Sequence, residues 1–256
     1  MSNATPTAKL ARQCTVASAP LLVVMLGAFF VGVSPARATV QPGGACPGRA
    51  LFADPLQLYG DRMKFTVLRD GTAVGSHTVT FNRQGKDLIV DTRFDVMVEF
   101  LFMTAYSYHY AATARWRDGC LVDMRVTIHD DGTLSTVTAT ADNDGLKVSG
   151  PNGLVAAPLD IYPTHHWNAE VIGSAAVLNT ITGRIDKVRI VDHGVEPVAI
   201  NGQMLPARHY SYTGDLKNEV WYDAQGRWVK MRFEGRDGAR IEYRCDNCYR
   251  GLVAQP

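Results

Sequence analysis

The densest group of side chains that could do chemistry is His165-His166-Trp167-Asn168. A metal site usually takes histidines two apart on a strand or four apart on a helix, so that both rings face one ion. Adjacent histidines diverge in either geometry, and the chain contains no H-x-H, H-x-x-x-H or H-E-x-x-H pattern. We therefore expect no metal site. In the structural alternative, Trp167 anchors this connection in the core and Asn168 caps neighbouring backbone.

Motifs of nucleophilic and phosphate chemistry are absent from the sequence. It has no G-x-S-x-G, no C-G-x-C-W and no Gly-rich loop between a strand and a helix. The acidic residues are scattered along polar strand faces, which is typical of a solvated surface. The sequence favours a non-catalytic protein, and we expect no cofactor. The alternative is a cofactor-free enzyme that uses the His165-His166-Trp167-Asn168 segment.

An unusual aromatic strand runs from Tyr106 to Trp116. Three tyrosines, two alanines and Trp116 share one face of it, and the apolar run 100–103 precedes it. Large aromatic side chains with small alanines between them indicate a wall that leaves space for an apolar guest. The same pattern occurs in an ordinary β core, where large and small side chains interdigitate. The run 100–103 could form a lip over the guest cavity.

Aromatic residues recur near the end of the chain. Trp221 and Tyr222 are adjacent in a predicted hairpin, so they cannot both point inward. One of them faces solvent, a second layer or a partner. The residues that we predict to contact a ligand are Phe100, Phe102, Tyr106, Tyr108, Tyr110, Trp116, His166, Trp167 and Trp221.

The first 38 residues resemble a secretory signal peptide. Lys9 and Arg12 give a positively charged N-terminal region, and the segment 19–33 is almost wholly apolar. Ala36-Arg37-Ala38 has the small residues of a cleavage site. The alternative, a retained anchor, fits poorly because the apolar stretch is short and the cleavage site follows it directly. We expect cleavage after Ala38, a periplasmic or secreted protein, and no membrane span afterwards.

Four cysteines remain after that cleavage: Cys46, Cys120, Cys245 and Cys248. An even number in an exported protein predicts disulfides, and four cysteines allow three pairings. Cys245 and Cys248 could close on each other and leave Cys46 with Cys120. In the other two pairings, a disulfide from Cys46 cross-links the N-terminal segment to the last strand. A redox role for this C-x-x-C is less favoured because it follows a strand and lacks the helix N-terminus that lowers a thiol pKa.

The mature chain has a nearly neutral charge. The signal holds three of the 26 basic residues and none of the 25 acidic ones, which leaves a net charge of −2. This balance gives no reason to expect nucleic acid or an anionic membrane as a partner. We divide the chain into the signal peptide (1–38), an irregular arm rich in Gly, Pro and Ala (39–58) and one β-rich domain (59–256).

Alternation of apolar and polar residues dominates that domain. Met63, Phe65 and Val67 share one face, and further along Val122, Met124, Val126 and Ile128 share another. Asp-Gly pairs, which suit tight hairpin turns, punctuate the runs at Asp70, Asp118, Asp131, Asp144 and Asp237. We predict about eleven or twelve strands. Residues 150–179 break the pattern and form a long connection with a helical turn near Trp167.

The fold class that follows is all-β with short helices. Closely spaced strands leave no room for crossover helices, so the sheet is an antiparallel meander. A sheet this wide must curl into a half-barrel or open barrel to cover its apolar face.

Several segments resemble an uncharacterised family of exported proteobacterial proteins over nearly all of the mature chain. They are Tyr59-Gly60, Trp116-Arg117-Asp118-Gly119, His166-Trp167-Asn168, Asn179-Thr180-Ile181-Thr182-Gly183, Gly214-Asp215-Leu216, Trp221-Tyr222-Asp223 and Gly226-Arg227-Trp228-Val229. That family is distantly similar to periplasmic carriers of the lipoprotein-localisation type (LolA and LolB). The resemblance implies an antiparallel half-barrel, lined by apolar side chains, that holds acyl chains. The present chain differs in its four mature cysteines.

The functional expectation combines these observations. A wide one-layer sheet has an apolar face that helices, a lid or a guest must cover. We expect an exported, non-catalytic protein that binds an apolar or amphipathic, lipid-like molecule on the concave face of its sheet. The alternatives are the cofactor-free enzyme and an envelope interaction module without a small ligand.

Overall fold

The computed structural model describes residues 54–100, 103–200 and 203–248. One short helix, α1 (Pro55–Leu58), precedes the sheet, and Asp54 caps it by accepting a hydrogen bond from the backbone of Leu56. It occupies the end of the arm that the sequence predicts to be irregular. The signal peptide, the rest of that arm, Cys46 and Phe102 lie outside the described residues. The described helices include none long and apolar enough to cross a membrane.

Fifteen strands follow α1 in the described residues. They are β1 (Arg62–Arg69), β2 (Thr72–Gln84), β3 (Asp87–Phe100), β4 (Met103–Arg117), β5 (Cys120–Asp130), β6 (Thr133–Ala141), β7 (Leu146–Gly150), β8 (Gly153–Ala157), β9 (Tyr162–Pro163), β10 (Ala176–Leu178), β11 (Ile185–Ile200), β12 (Gln203–Gly214), β13 (Asn218–Tyr222), β14 (Trp228–Glu234) and β15 (Arg240–Asn247).

The expected eleven or twelve strands are too few. The difference comes from the 150–179 connection, which contains the short strands β8, β9 and β10. Strands of two to five residues are too short to show periodicity in a sequence. The helical turn expected near Trp167 is present as a 3-10 helix, Ala169–Gly173.

All fifteen strands belong to one sheet, in the order β8-β7-β6-β5-β4-β3-β2-β1-β15-β14-β13-β12-β11-β10-β9. The chain meanders outward from β1 to β8, crosses over, and meanders back from β9 to β15, which pairs with β1. Neighbouring strands are antiparallel except for β9 and β10, which are parallel. The predicted all-β antiparallel meander is therefore confirmed.

Tight turns join the consecutive hairpins as the Asp-Gly pairs predict. Asp70, Asp118 and Asp131 all have positive φ angles, of 48°, 50° and 47°, and each glycine that follows is positive too. Two successive positive φ values match the right-handed twist of the flanking strands.

The two ends of the sheet approach each other, which makes the curled sheet an open barrel. Asn152, in the β7–β8 turn, donates a hydrogen bond to the carbonyl of Thr182, in the β10–β11 turn, at 3.0 Å. A Cβ atom on Gly150 would lie only 3.0 Å from that same carbonyl oxygen and 3.1 Å from the Cα of Gly183. Glycine at position 150 therefore lets the two turns touch.

The concave face carries the core. In β1, Met63, Phe65 and Val67 are buried as the alternation predicts. In β5, the pairing with β4 skips Val122, so that Leu121 is buried and Val122 only half-buried. This β-bulge corrects the expected assignment of Val122 to the buried face.

The connection between the two halves of the meander runs inside the barrel. We call residues 161–173 the inner segment. Ile161, Trp167 and Val171 in it are each no more than 5% exposed. The crossover between the halves thus fills part of the concave face, where a helix layer would lie in other folds.

Candidate functional site

The inner segment is held at its backbone by two tyrosines that are distant from it in the sequence. Tyr59, just before β1, donates a hydrogen bond to the carbonyl of Trp167 at 2.7 Å. Tyr222, at the end of β13, donates to the carbonyl of His166 at 2.8 Å. These bonds fix the direction in which the His165, His166 and Trp167 side chains leave the backbone.

Trp167 and Asn168 have structural contacts. The Trp167 ring packs edge-on against Phe81 and Trp116, with ring centroids 5.5 Å apart in both cases. Asn168 caps the 3-10 helix, because its side-chain oxygen accepts from the backbone N–H of Glu170 at 3.0 Å. These contacts match the structural interpretation of this segment.

The two adjacent histidines diverge toward different halves of the barrel. His165 Nε2 hydrogen-bonds the hydroxyl of Tyr110, on β4, at 2.9 Å. His166 Nε2 accepts from the side-chain amide of Asn218, on β13, at 3.3 Å. Within the described residues, no three His, Cys, Asp or Glu side chains come together as metal ligands.

A third histidine, His77 on β2, joins this group. The rings of His77 and His166 both contact Trp228, at centroid distances of 5.4 and 5.6 Å. Burial lowers the pKa of His77 to about 3, and the neighbouring His165 and His166 add to the effect. Burial also lowers the pKa of His165 to about 4 and that of His166 to about 3. All three rings are therefore neutral at neutral pH.

These side chains border a cavity of about 710 Å³ on the concave face. This volume lies in the range of sites for drug-sized ligands. Apolar and aromatic side chains form most of its wall: Val79, Phe94, Val96, Val98, Ala105, Tyr106, Tyr108, Tyr110, Ile181, Leu216, Trp228, Met231, Phe233, Ile241 and Tyr243.

Charged residues occur only in the exposed part of the cavity lining among the described residues. Arg69 pairs with Asp237 at 2.5 Å, and Arg236 pairs with Asp130 at 2.9 Å. Lys217 also lines this part and is exposed. We call this charged rim the mouth, and the buried region around Trp228 and the histidines the inner end.

Three of the predicted aromatic contacts lie on the cavity wall along β4. Tyr106 donates a hydrogen bond to Asp130 at 2.8 Å, and burial is the main cause that raises its pKa to about 12. Tyr108 packs edge-on against Phe94 at 5.7 Å, and burial raises its pKa to about 12. Tyr110 continues toward the inner end, where it meets His165.

The structure brings together five of the nine predicted contact residues. Tyr106, Tyr108, Tyr110, His166 and Trp167 all line the cavity. Trp116 does not line it, because it lies buried against Trp167. The Phe100 side chain and Phe102 fall outside the described residues.

Trp221 faces the other side of the sheet and does not line the cavity. Its ring stacks on His209 with centroids 4.2 Å apart, and its indole N–H donates to Glu196 at 2.6 Å. The ammonium group of Lys230 lies 4.8 Å from the ring centroid. The neighbouring Tyr222 points inward instead, toward the inner segment.

Sequence reasoning missed much of the rest of the cavity wall. The cavity is also lined by residues of β2, β3, β14 and β15, namely His77, Phe94, Met231, Phe233 and Tyr243. Alternation could have placed His77, because Val79 and Phe81 on the same strand are buried on that face. No local pattern could have shown that β15 closes against β1.

The cysteines near the C-terminus form a disulfide, Cys245–Cys248. Cys120 is disulfide-bonded as well, and the pairing of the other two leaves its partner outside the described residues. The described part of the chain thus agrees with the interpretation in which the C-x-x-C closes on itself.

The curled antiparallel sheet with its inner cavity defines the chain as a barrel-like β protein. A family described as a domain of unknown function, DUF6134, matches residues 65–246, and the chain belongs to this family. No curated protein matches the sequence.

A solved structure shares the fold. It is described as a β-barrel-like protein of the domain of unknown function DUF1849 from Brucella abortus. The TM-score is 0.51 at 12% identity, over 74% of this chain and 97% of that one. At this identity the likeness supports the open-barrel architecture and nothing about ligand or activity.

Proposed function

We propose that this protein is an exported, non-catalytic carrier or receptor that binds an apolar or amphipathic, lipid-like molecule in the cavity on its concave face. The observation that carries the proposal is the cavity itself, about 710 Å³ with a largely apolar and aromatic wall. A well-packed domain fills such a space with its own side chains. Here the inner segment covers only part of the concave face.

The expected cellular compartment supports the same proposal. The signal-like segment 1–38 and the Cys245–Cys248 disulfide both fit an oxidising compartment such as the periplasm. The resemblance to half-barrel carriers of the lipoprotein-localisation type adds a reason to place acyl chains in the cavity. The open-barrel fold is compatible with that likeness.

The histidines support binding more than catalysis. Buried rings whose pKa lies near 3 or 4 are weak bases at neutral pH, because a general base works best with a pKa near the operating pH. His165 and His166 also use one ring nitrogen each to hold the inner segment against β4 and β13.

A pair of matched variants tests the proposal with the neutral fluorophore N-phenyl-1-naphthylamine. Val98 lines the cavity, whereas its neighbour Met97 faces the opposite side and is 46% exposed. Val98→Trp should narrow the cavity and weaken probe binding about tenfold or more, equal to ~1.4 kcal/mol. Met97→Trp should leave binding unchanged.

The outcomes separate the proposal from its competitors. Thermal melts of both variants establish that each is folded. Absence of probe binding to the wild type, or equal binding by both variants, would contradict a ligand-binding cavity. Turnover of a substrate that survives Val98→Trp and is abolished by His166→Ala would replace the carrier with an enzyme.

A further inference from the structure

Buried polar atoms without a hydrogen-bond partner concentrate around the cavity. Within the described residues, six such atoms belong to residues of its lining: His77 Nδ1, Thr92 Oγ1, Tyr108 Oη, His165 Nδ1, His166 Nδ1 and Asn218 Oδ1. Each such atom destabilises a protein, and native structures contain few of them. Their grouping around one cavity therefore needs an explanation.

Most of these atoms lie at the inner end. Thr92, His165, His166 and Asn218 are all less than 10% exposed. Thr92 pairs across the sheet with Val79 and Ala112, which are also buried.

The hydrogen bond between Asn218 and His166 fixes the tautomer of the histidine. Since the amide nitrogen of Asn218 can only donate, His166 Nε2 is the acceptor. The proton of the neutral ring is then on Nδ1, which is the unpartnered atom. The inner end therefore combines this unused donor with acceptors such as Asn218 Oδ1 and with the Thr92 hydroxyl, which can do both.

Among the described residues, every charged side chain of the cavity lining is exposed or half-buried. The cavity-lining residues Arg236, Lys217 and Asp237 are exposed, and no Lys, Arg, Asp or Glu is among the buried residues of the described lining. An ion at the inner end would lack an opposite charge and would pay a large desolvation cost. A neutral group that both donates and accepts fits the unused atoms.

We infer that the inner end binds an uncharged hydrogen-bonding group of the guest, such as a hydroxyl, while the apolar part of the guest lies along the wall toward the mouth. This inference rests on the proposed function and names the ligand class: an amphiphile with a neutral polar end that enters first. The unpartnered atoms then form hydrogen bonds only in the complex. The ligand-free protein is therefore less stable than it would be without these polar groups, which serve to recognise the guest.

Thr92→Val tests the inference because it removes the hydroxyl and nearly keeps the shape. Competition against N-phenyl-1-naphthylamine would compare 1-decanol with undecane, in which a methyl replaces the hydroxyl. Thr92→Val should weaken the binding of 1-decanol about threefold to tenfold, which is the usual net contribution of one hydrogen bond. The affinity for undecane should be unchanged. The melting temperature of ligand-free Thr92→Val should rise, since an unpartnered buried hydroxyl is gone.

Tyr212→Phe is the matched control. The Tyr212 hydroxyl is also buried without a partner, but Tyr212 does not line the cavity. Its removal should raise the melting temperature without changing the affinity for either competitor.

Three results would overturn the inference. One is an equal effect of Thr92→Val on 1-decanol and undecane. Another is no effect on either competitor. The third is tighter binding of decanoate than of 1-decanol, together with its loss in Lys217→Ala, which would place a charged end at the mouth. Failure of the proposed function itself looks different, because then the fluorophore does not bind at all.

Discussion

At the scale of single residues, the neutral histidines set a pH dependence of stability. The folded protein holds His77, His165 and His166 unprotonated down to a pH near 3 or 4. The unfolded chain protonates the same rings near their ordinary pKa of 6.5. Stability is therefore fully present above pH 6.5 and falls as the pH drops toward the folded-state values.

His77→Phe should reduce that dependence. Phenylalanine suits the site, because the His77 ring packs against Phe65, Phe94, Trp228 and Tyr243. The free energy of unfolding, measured by urea titration at pH 7.5 and pH 5, should drop by about 2 kcal/mol less in the variant than in the wild type. An equal drop in both proteins would show that His77 is protonated in the folded state.

Sequence reasoning succeeded at those residues whose strand was recognisable. Tyr106, Tyr108 and Tyr110 were placed on one wall because alternation within a strand fixes which face each residue takes. Trp221 does not line the cavity. It and Tyr222 are both large and aromatic, and composition alone does not show which one faces inward. The structure gives the inward position to Tyr222.

At the scale of elements, the Tyr59 hydroxyl is one of the groups that link the inner segment to the sheet. Tyr59 donates to the carbonyl of Trp167 and accepts from the backbone N–H of Trp228 at 2.9 Å. Tyr59→Phe removes both bonds and should lower the free energy of unfolding by about 2–3 kcal/mol. Urea unfolding monitored by tryptophan fluorescence measures this directly.

Tyr212→Phe again provides the comparison, since its hydroxyl has no partner. It should raise the free energy of unfolding in the same urea assay. If both variants lose the same free energy, the loss comes from repacking of aromatic rings and not from the bonds to the inner segment.

The strands and hairpins could be predicted, whereas the path of the crossover could not. Asp-Gly pairs and alternation predicted the β1–β2, β4–β5 and β5–β6 hairpins, because turn chemistry is local. The position of residues 161–173 inside the barrel depends on Tyr59, Tyr110 and Tyr222, which lie about 50 to 110 residues away in the chain.

At the scale of the whole molecule, two contacts close the meandering sheet around a cavity. Strand β15 pairs with β1, and the β7–β8 turn touches the β10–β11 turn. Between them the sheet encloses a space that the inner segment fills only in part. The curled sheet followed from its width and alternation, but the size of the remaining cavity depends on how side chains from seven strands and several connections meet.

The most direct test of the account is native mass spectrometry of the protein purified from its own cell envelope. The predicted result is a polypeptide of residues 39–256 carrying a non-covalent apolar molecule that gentle activation releases. Met97→Trp should carry the same molecule to the same extent, and Val98→Trp should carry clearly less of it. The account of a guest in the cavity would be contradicted by a wild-type protein that carries no adduct and does not differ from Val98→Trp. The account of an exported protein would be contradicted by a chain that retains residues 1–38.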